Sequence, residues 1–183
     1  MICDLQKLEI VNSNIDSVIV VNNQLNEEWL LKGLKSTKNV ILADGGANKF
    51  YKSPFRHWRN IRAIVGDLDS LHPEVQSFYE ARGVKVEQVW NQDTNDFEKA
   101  VKKSISMGWK NILCFGAFGG RMDHSLSAMH HAVKLSKEHP ELKMVLFGKN
   151  NLMYYMRPNI KHEIRISNKI NRMCSGLIPF GKA

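Results

Sequence analysis

Short apolar, β-branched runs alternate along most of this chain with segments whose apolar residues recur every three or four positions. That is the pattern of βα units laid around a parallel sheet. It predicts strands at Ser17–Asn22, Asn39–Ala43, Ile61–Gly66, Val84–Val89, Asn111–Ala117 and Lys143–Phe147. Helices are predicted between them at Glu27–Lys35, Ala47–Lys52, Pro73–Arg82, Thr94–Met107 and Met122–Lys137. In the fourth helix Phe97, Val101 and Ile105 mark one face and Gly108 supplies the stop. In the fifth, Leu126, Met129 and Val133 keep the spacing of a buried face.

The pattern changes after Gly148. Leu152–Met156, His162–Ser167 and Met173–Ile178 read as short strands with polar turns and no intervening helix. The expected organisation is therefore an α/β parallel-sheet domain over residues 1–149, with helices on both faces, followed over 150–183 by the beginning of an all-β sandwich. The second part is too short to enclose a sandwich core of its own.

Composition narrows the function classes. No apolar run approaches the ~18 residues of a membrane span. The opening residues mix Asp4, Glu9 and Asp16 among apolar ones, unlike a secretory or organelle leader. Cys3, Cys114 and Cys174 are too few and too scattered for a disulfide framework or a metal knot, so a reducing, cytoplasmic setting is expected. The formal charge of +8 is spread thinly, without a basic run or a nucleic-acid-reading motif. No nucleic-acid partner is expected; the charge reads first as a solvated basic surface, and otherwise as one that steers a small polyanionic substrate.

Four segments carry candidate chemistry, and each follows a predicted strand. In an open parallel sheet the loops at the carboxyl ends of the strands share one crevice, where ligands bind. Asp44-Gly45-Gly46-Ala47-Asn48 joins strand to helix through paired glycines, either as a plain tight turn or as a place where an anion approaches the backbone. Gly66-Asp67-Leu68-Asp69-Ser70 sets two carboxylates at i and i+2, on one side of an extended chain. Two such carboxylates invite a hard cation such as Mg²⁺, although Asp69 also suits a helix cap. In Gln92-Asp93-Thr94-Asn95-Asp96, Asp93 stands where an N-cap is wanted and Asp96 falls in the first helical turn, with Lys99 beyond. Finally, Gly119-Gly120-Arg121-Met122-Asp123 offers backbone amides and a guanidinium fork suited to phosphate. It lacks the Gly-Lys-Ser/Thr ending of a Walker loop. Taken together these residues point to a Mg²⁺-dependent enzyme acting on a nucleoside di- or triphosphate.

In this order, the four segments resemble the thiamine pyrophosphokinase family. That family carries Asp-Gly-Gly-Ala-Asn, Gly-Asp-x-Asp-Ser, Asp-x-Thr-Asp with a downstream Lys, and Gly-Gly-Arg-x-Asp. Asn22 after the first strand, Gln92, and Cys174–Gly181 at the entry to the second part are similar to its eukaryotic branch. The resemblance implies a homodimeric enzyme that moves the β,γ-diphosphate of ATP to the hydroxyl of thiamine, releasing AMP. It also implies roles: Asp67, Asp69 and Asp96 would hold Mg²⁺, with one of the three, Asp96 being a candidate, orienting or deprotonating the thiamine hydroxyl. Arg121 would offset charge on the transferred group. Asn22, Asp44, Gly45, Gly46, Gln92, Asp93, Lys99, Gly119, Gly120, Arg121 and Asp123 would position ATP. Asn95 stands where the family usually has Thr. Two other readings share these motifs: a related diphosphokinase acting on a pterin, and a non-catalytic variant that binds nucleotide or pairs with a partner.

Overall fold

The computed structural model describes residues 2–4, 9–11, 14–91, 93–165 and 176–180. The chain divides into two compact units, one spanning 15–155 and the other made of the terminal segments 1–14 and 156–183.

The larger unit is built on strands β3 (Ser17–Val20), β4 (Val40–Ala43), β5 (Ile61–Gly66), β6 (Lys85–Gln88), β7 (Asn111–Phe118), β8 (Lys143–Gly148) and β9 (Leu152–Tyr154). Helices α1 (Glu27–Ser36), α2 (Gly46–Lys52), α3 (Pro73–Glu80), α4 (Asp96–Ser106) and α5 (Met122–Glu138) connect them. The strands form one sheet in the order β6-β5-β4-β3-β7-β8-β9, parallel throughout except that β9 runs antiparallel to β8. Burial on both faces explains the unbroken apolar runs: Val18, Ile19, Val20, Val40, Ile41 and Leu42 are all fully enclosed.

Alternation along the strands sends successive side chains to opposite faces. On one face Ile19, Ile41, Val65, Ile112 and Cys114 join Phe97, Ala100 and Val101 of α4 and Ala128, Ala132 and Leu135 of α5 in a single core. On the other, α1 packs closely enough that a Cβ on Gly33 would lie 2.8 Å from the Phe115 ring, and Trp29 meets Phe147 edge-on.

Several boundaries differ from the sequence expectation. Helix α4 is capped by Asn95, whose side chain accepts from the Glu98 amide, and not by Asp93, so it begins two residues late. Asn caps as well as Asp does, and Asp93 instead donates its backbone amide to Asn91 Oδ1 in a turn. In α5 the buried stripe is Ala128, Ala132, Val133 and Leu135, while Leu126 is 55% exposed. The small alanines let this helix lie close to the sheet, which the large apolar residues alone did not reveal.

The other unit contains, among its described residues, β1 (Ile2–Asp4), β2 (Glu9–Val11) and β10 (Glu163–Arg165). Strand β1 lies between the others, antiparallel to β2 and parallel to β10. The first fourteen residues therefore group with the C-terminal segment and not with the α/β domain, and β9 belongs to the large sheet. Of the strands expected late in the chain, residues 166–167 and 173–175 lie outside the described residues, and 176–178 form no strand.

Candidate active site

The strand order sets the position of the site. From β3 the chain steps outward through β4, β5 and β6, then returns to place β7 on the opposite side of β3. The loops leaving β3 and β7 thus diverge, opening a crevice at the carboxyl edge. A short polar bridge spans it: Asn23 Nδ2, just past β3, donates to the Gly119 carbonyl at 2.6 Å.

Three carboxylates meet beside this crevice. Asp44 after β4, Asp67 after β5 and Asp96 at the start of α4 each offer an oxygen within 4.8 Å of the others. The backbone is shaped for it. Asp44 and Leu68 adopt φ values of 42° and 69°, and a Cβ on Gly66 would come within 2.6 Å of Asp44 Cβ. Only a residue without a side chain lets β4 and β5 deliver their carboxylates so close together. Gly46 plays a similar part at the start of α2, where a Cβ would collide with the Val20 carbonyl oxygen.

Asp69 stands outside this triangle. Its carboxylate accepts from the Ser70 hydroxyl at 2.9 Å. The left-handed turn at Leu68 takes the chain out of the extended geometry in which residues i and i+2 share a side, so Asp44 fills the third corner in its place. Asp69 still adds negative charge to the field at Asp44.

Lys99 is the internal counter-ion. Its side chain is 2% exposed, and its ammonium donates to Asp67 Oδ2 at 2.9 Å and to Asp96 Oδ1 at 3.2 Å. Burial works against its charge, but the two carboxylates outweigh burial and raise its pKa. Asp67 is likewise pushed up by burial and pulled down further by Lys99, ending below the usual carboxylate range. For Asp96 burial prevails over Lys99, and its pKa is raised.

Asp44 has no such partner. It is buried, its Oδ1 lacks a hydrogen bond, and Oδ2 accepts a 3.3 Å contact from the Ser70 amide. Burial chiefly, with the charges of Asp96, Asp67 and Asp69, lifts its pKa from 3.8 to about 6, against a hydrogen bond from the Gly45 backbone. A carboxyl whose pKa is higher folded than unfolded favours folding while protonated, and that contribution is lost as pH rises through about 6. In metal-free protein, Asp44→Asn is therefore expected to be more stable than wild type at neutral pH, by about 2 kcal/mol, with the difference shrinking toward pH 4. Urea midpoints in chelator would check this; an Asn variant less stable at neutral pH would contradict it.

The remaining expected residues are distributed around the triangle. Asn22 lies against Gly45, whose added Cβ would fall 2.7 Å from Asn22 Cγ. Gly119 is already engaged, its amide donating to Ser125 Oγ at 3.2 Å and its carbonyl accepting from Asn23. Arg121 and Asp123 are exposed and paired with each other, with Arg121 Nε 3.1 Å from Asp123 Oδ1. Asp93 is exposed, and Gln92 lies outside the described residues. Three residues of this neighbourhood escaped sequence reasoning. Asn23 sits in an unremarkable Asn-Asn pair, Ser125 is one serine among several, and Glu98 looks like a solvated first-turn acid, yet is completely buried.

Such an arrangement can hold a divalent cation. Three convergent carboxylates, one with an orphaned buried oxygen, supply hard anionic ligands, while Lys99 keeps the cluster from flying apart before a cation arrives. The Gly-Gly loop and Arg121 border the same edge, as phosphate chemistry requires.

Comparisons with known proteins identify relatives of this chain. The family model described as "Thiamin pyrophosphokinase, catalytic domain" matches residues 30–146. Thiamine pyrophosphokinase 2 of Oryza sativa subsp. japonica is 30% identical, over 89% of this chain and 66% of that protein. Thiamine pyrophosphokinase 2 of Arabidopsis thaliana is also 30% identical, over 77% of this chain and 58% of that protein. The chain thus spans less than two thirds of the length of these curated relatives. Among solved structures, yeast thiamin pyrophosphokinase superposes with a TM-score of 0.72 at 18% identity, covering 92% of this chain and 69% of that one. The Candida albicans enzyme gives 0.65 at 21% identity, covering 76% and 60%. Matched by that family model over residues 30–146, with the four motifs in family order, the chain belongs to the thiamine pyrophosphokinase family.

Proposed function

We propose that this chain carries the nucleotide side of a thiamine pyrophosphokinase: Mg²⁺-dependent transfer of the β,γ-diphosphate of ATP to the hydroxyl of thiamine. In that reaction the hydroxyl oxygen bonds to the β-phosphorus, the bond from β-phosphorus to the α,β-bridging oxygen breaks, and AMP leaves. The observation that supports it best is the Asp44–Asp67–Asp96 triangle, braced by buried Lys99, beside the Gly119-Gly120 loop.

In this reading Asp44, Asp67 and Asp96 would hold the Mg²⁺, with Asp69 reaching it through water. The bound ion would neutralise the phosphates and polarise the β-phosphorus. The protein's residues do the rest by position and charge. Asp96, placed at the triangle's edge, orients the thiamine hydroxyl and takes its proton. Arg121 swings from Asp123 to the transferred group as charge builds there, and the helix end and loop amides around Gly120 receive the triphosphate. Asn22, Gln92 and Lys99 align ATP. The scattered basic surface steers both polyanions into the crevice. The chain works as a homodimer in the cytoplasm, and thiamine is bound with the help of the β-rich second part.

The test is AMP release from ATP and Mg²⁺, with and without thiamine, on the chain as given. Thiamine-dependent AMP is expected. Mg·ATP binding without AMP would move the assignment to a nucleotide-binding member of the family without turnover, and release driven equally by a hydroxymethyl pterin would overturn the choice of substrate.

A further inference from the structure

We infer that Glu98 is a positioning residue for the site: with Asn95, it locks helix α4 in register against α5, and so sets where Asp96 and Lys99 stand. The inference rests on reading the carboxylate triangle as a metal site.

Glu98 lies in the first turn of α4, between Asp96 and Lys99, and is completely buried. Its Oε1 forms an ion pair with Lys102 Nζ of the same helix at 2.9 Å and accepts from Lys134 Nζ of α5 at 3.2 Å. His131 Nδ1, also on α5, lies 2.8 Å from Oε2, close enough to pair electrostatically when protonated but not hydrogen-bonded to it. One turn earlier, Asn95 uses both ends of its amide. Its Oδ1 accepts from the Glu98 amide at 2.8 Å, while Nδ2 donates to Ser127 Oγ of α5 at 2.8 Å. Asn95, Glu98 and Lys102 follow the three-and-four spacing of one face of α4, as Ser127, His131 and Lys134 do on α5. Two polar stripes therefore face each other along the seam between the helices.

A buried carboxylate is a poor way to glue helices. The cost of taking it out of water roughly cancels its attraction to the lysines, and well-packed apolar residues would hold the pair at least as firmly. What a polar seam adds is a single permitted register, because hydrogen bonds fail when donor and acceptor slide apart. Sliding α4 by one residue is a shift of about 1.5 Å, enough to break the Lys99–Asp67 contact and to carry Asp96 off its corner of the triangle. The opposite face of α4, Phe97, Ala100 and Val101, packs in the apolar core, where contacts carry no donor–acceptor direction. On the α5 side, direction-dependent contacts come from the seam. Asn at position 95 suits this use, since its amide accepts and donates at separate atoms, whereas a Thr would have one hydroxyl for both tasks.

The experiment compares wild type with Glu98→Gln, which keeps the shape and removes the charge. Mn²⁺ affinity is measured by electron paramagnetic resonance, and amide hydrogen exchange is followed at Asp96–Lys99 and in β7. Glu87→Gln is the control, because Glu87 loses comparable lysine partners, Lys85 and Lys103, away from the seam. In Glu98→Gln, Mn²⁺ binding should weaken about 10-fold and first-turn amides should exchange about 10-fold faster, with β7 unchanged. Glu87→Gln should leave both readouts alone. A folded Glu98→Gln with wild-type affinity and exchange would overturn the inference, as would equal losses in the control. Should Glu98→Gln fail to fold, Lys134→Met removes one seam partner from a half-exposed position and should weaken Mn²⁺ binding about 3-fold. Wild type that binds no Mn²⁺ would sink the metal reading, and the exchange difference would then decide on the seam alone.

Discussion

Asp96→Asn should weaken Mn²⁺ binding about 100-fold, and should lower thiamine-dependent AMP release by at least as much. The expectation follows from what meets at one oxygen. Asp96 Oδ1 accepts from the Asp67 amide at 3.3 Å and from Lys99 at 3.2 Å, so this carboxylate ties two corners of the triangle to their counter-ion. An asparagine keeps the shape but leaves the Lys99 charge facing Asp67 alone, and a divalent cation then meets one fewer negative ligand in a half-buried site. Losing a ligand charge of this sort costs several kcal/mol of cation and transition-state stabilisation. Asp69→Asn is the informative comparison. On the extended-chain view of Gly66–Ser70 it should be equally damaging; on the observed geometry, with Asp69 turned to Ser70, its loss should be nearer 10-fold. Titration of Mn²⁺ into both variants separates the two views even if turnover is slow. Equal losses would restore Asp69 to the triangle in place of Asp44.

The second large effect is expected from a position that touches no ligand. Gly116→Ala should destabilise the fold by about 3 kcal/mol or more. Gly116 lies within β7 at φ 78°, where the register with β8 shifts, and a Cβ there would come within 2.6 Å of the Val21 carbonyl oxygen. Two penalties coincide. An L-residue in the left-handed region costs about 1–2 kcal/mol, and the obstacle is backbone, which cannot rotate away. Because β7 and the end of β3 form the walls of the crevice, the strain should spread to the Asn23–Gly119 bridge and the loop beyond it. Urea denaturation measures the first consequence and nucleotide affinity the second. An Ala variant with a wild-type midpoint would show that the bulge relaxes freely.

How much of this was legible in the residues varied with how local the cause was. Strands β3, β4, β5, β7 and β8 were plain, because burial on both faces demands unbroken runs such as Val18-Ile19-Val20. The site motifs were also plain as sites, since aspartates and paired glycines after such runs have few other reasons to be there. Which carboxylates converge was not. The i, i+2 rule for Asp67 and Asp69 assumed extended chain, and one left-handed residue, Leu68, undid it. Asp44 looked like a turn former until the lack of a Cβ at Gly66 brought β4 and β5 together. Glu98 was invisible for a different reason. A first-turn Glu normally faces water and suits the helix dipole, and only the arrival of α5, with Ser127, His131 and Lys134 at the right spacing, encloses it. The three-residue strands β1 and β2 left no periodic signal long enough to read, as two or three alternations fit almost any polar segment.

The order of strands across the large sheet also bears on how the protein is made. Strand β3 is the first of that sheet to leave the ribosome, yet it ends up in the middle, with β4 on one flank and β7 on the other. Its first neighbour follows within a single crossover, but Ser17 waits for Ile112. At ribosomal speeds of about 5–20 residues per second that delay is roughly 5–20 seconds. For that interval a nascent half-sheet would present Val18, Ile19 and Val20 along an uncovered hydrogen-bonding edge, an invitation to pair with another chain. The ordering that opens the nucleotide crevice thus makes the newborn protein a natural client for chaperones, and slowing translation between α1 and β7 should cost soluble yield more than slowing it after β8.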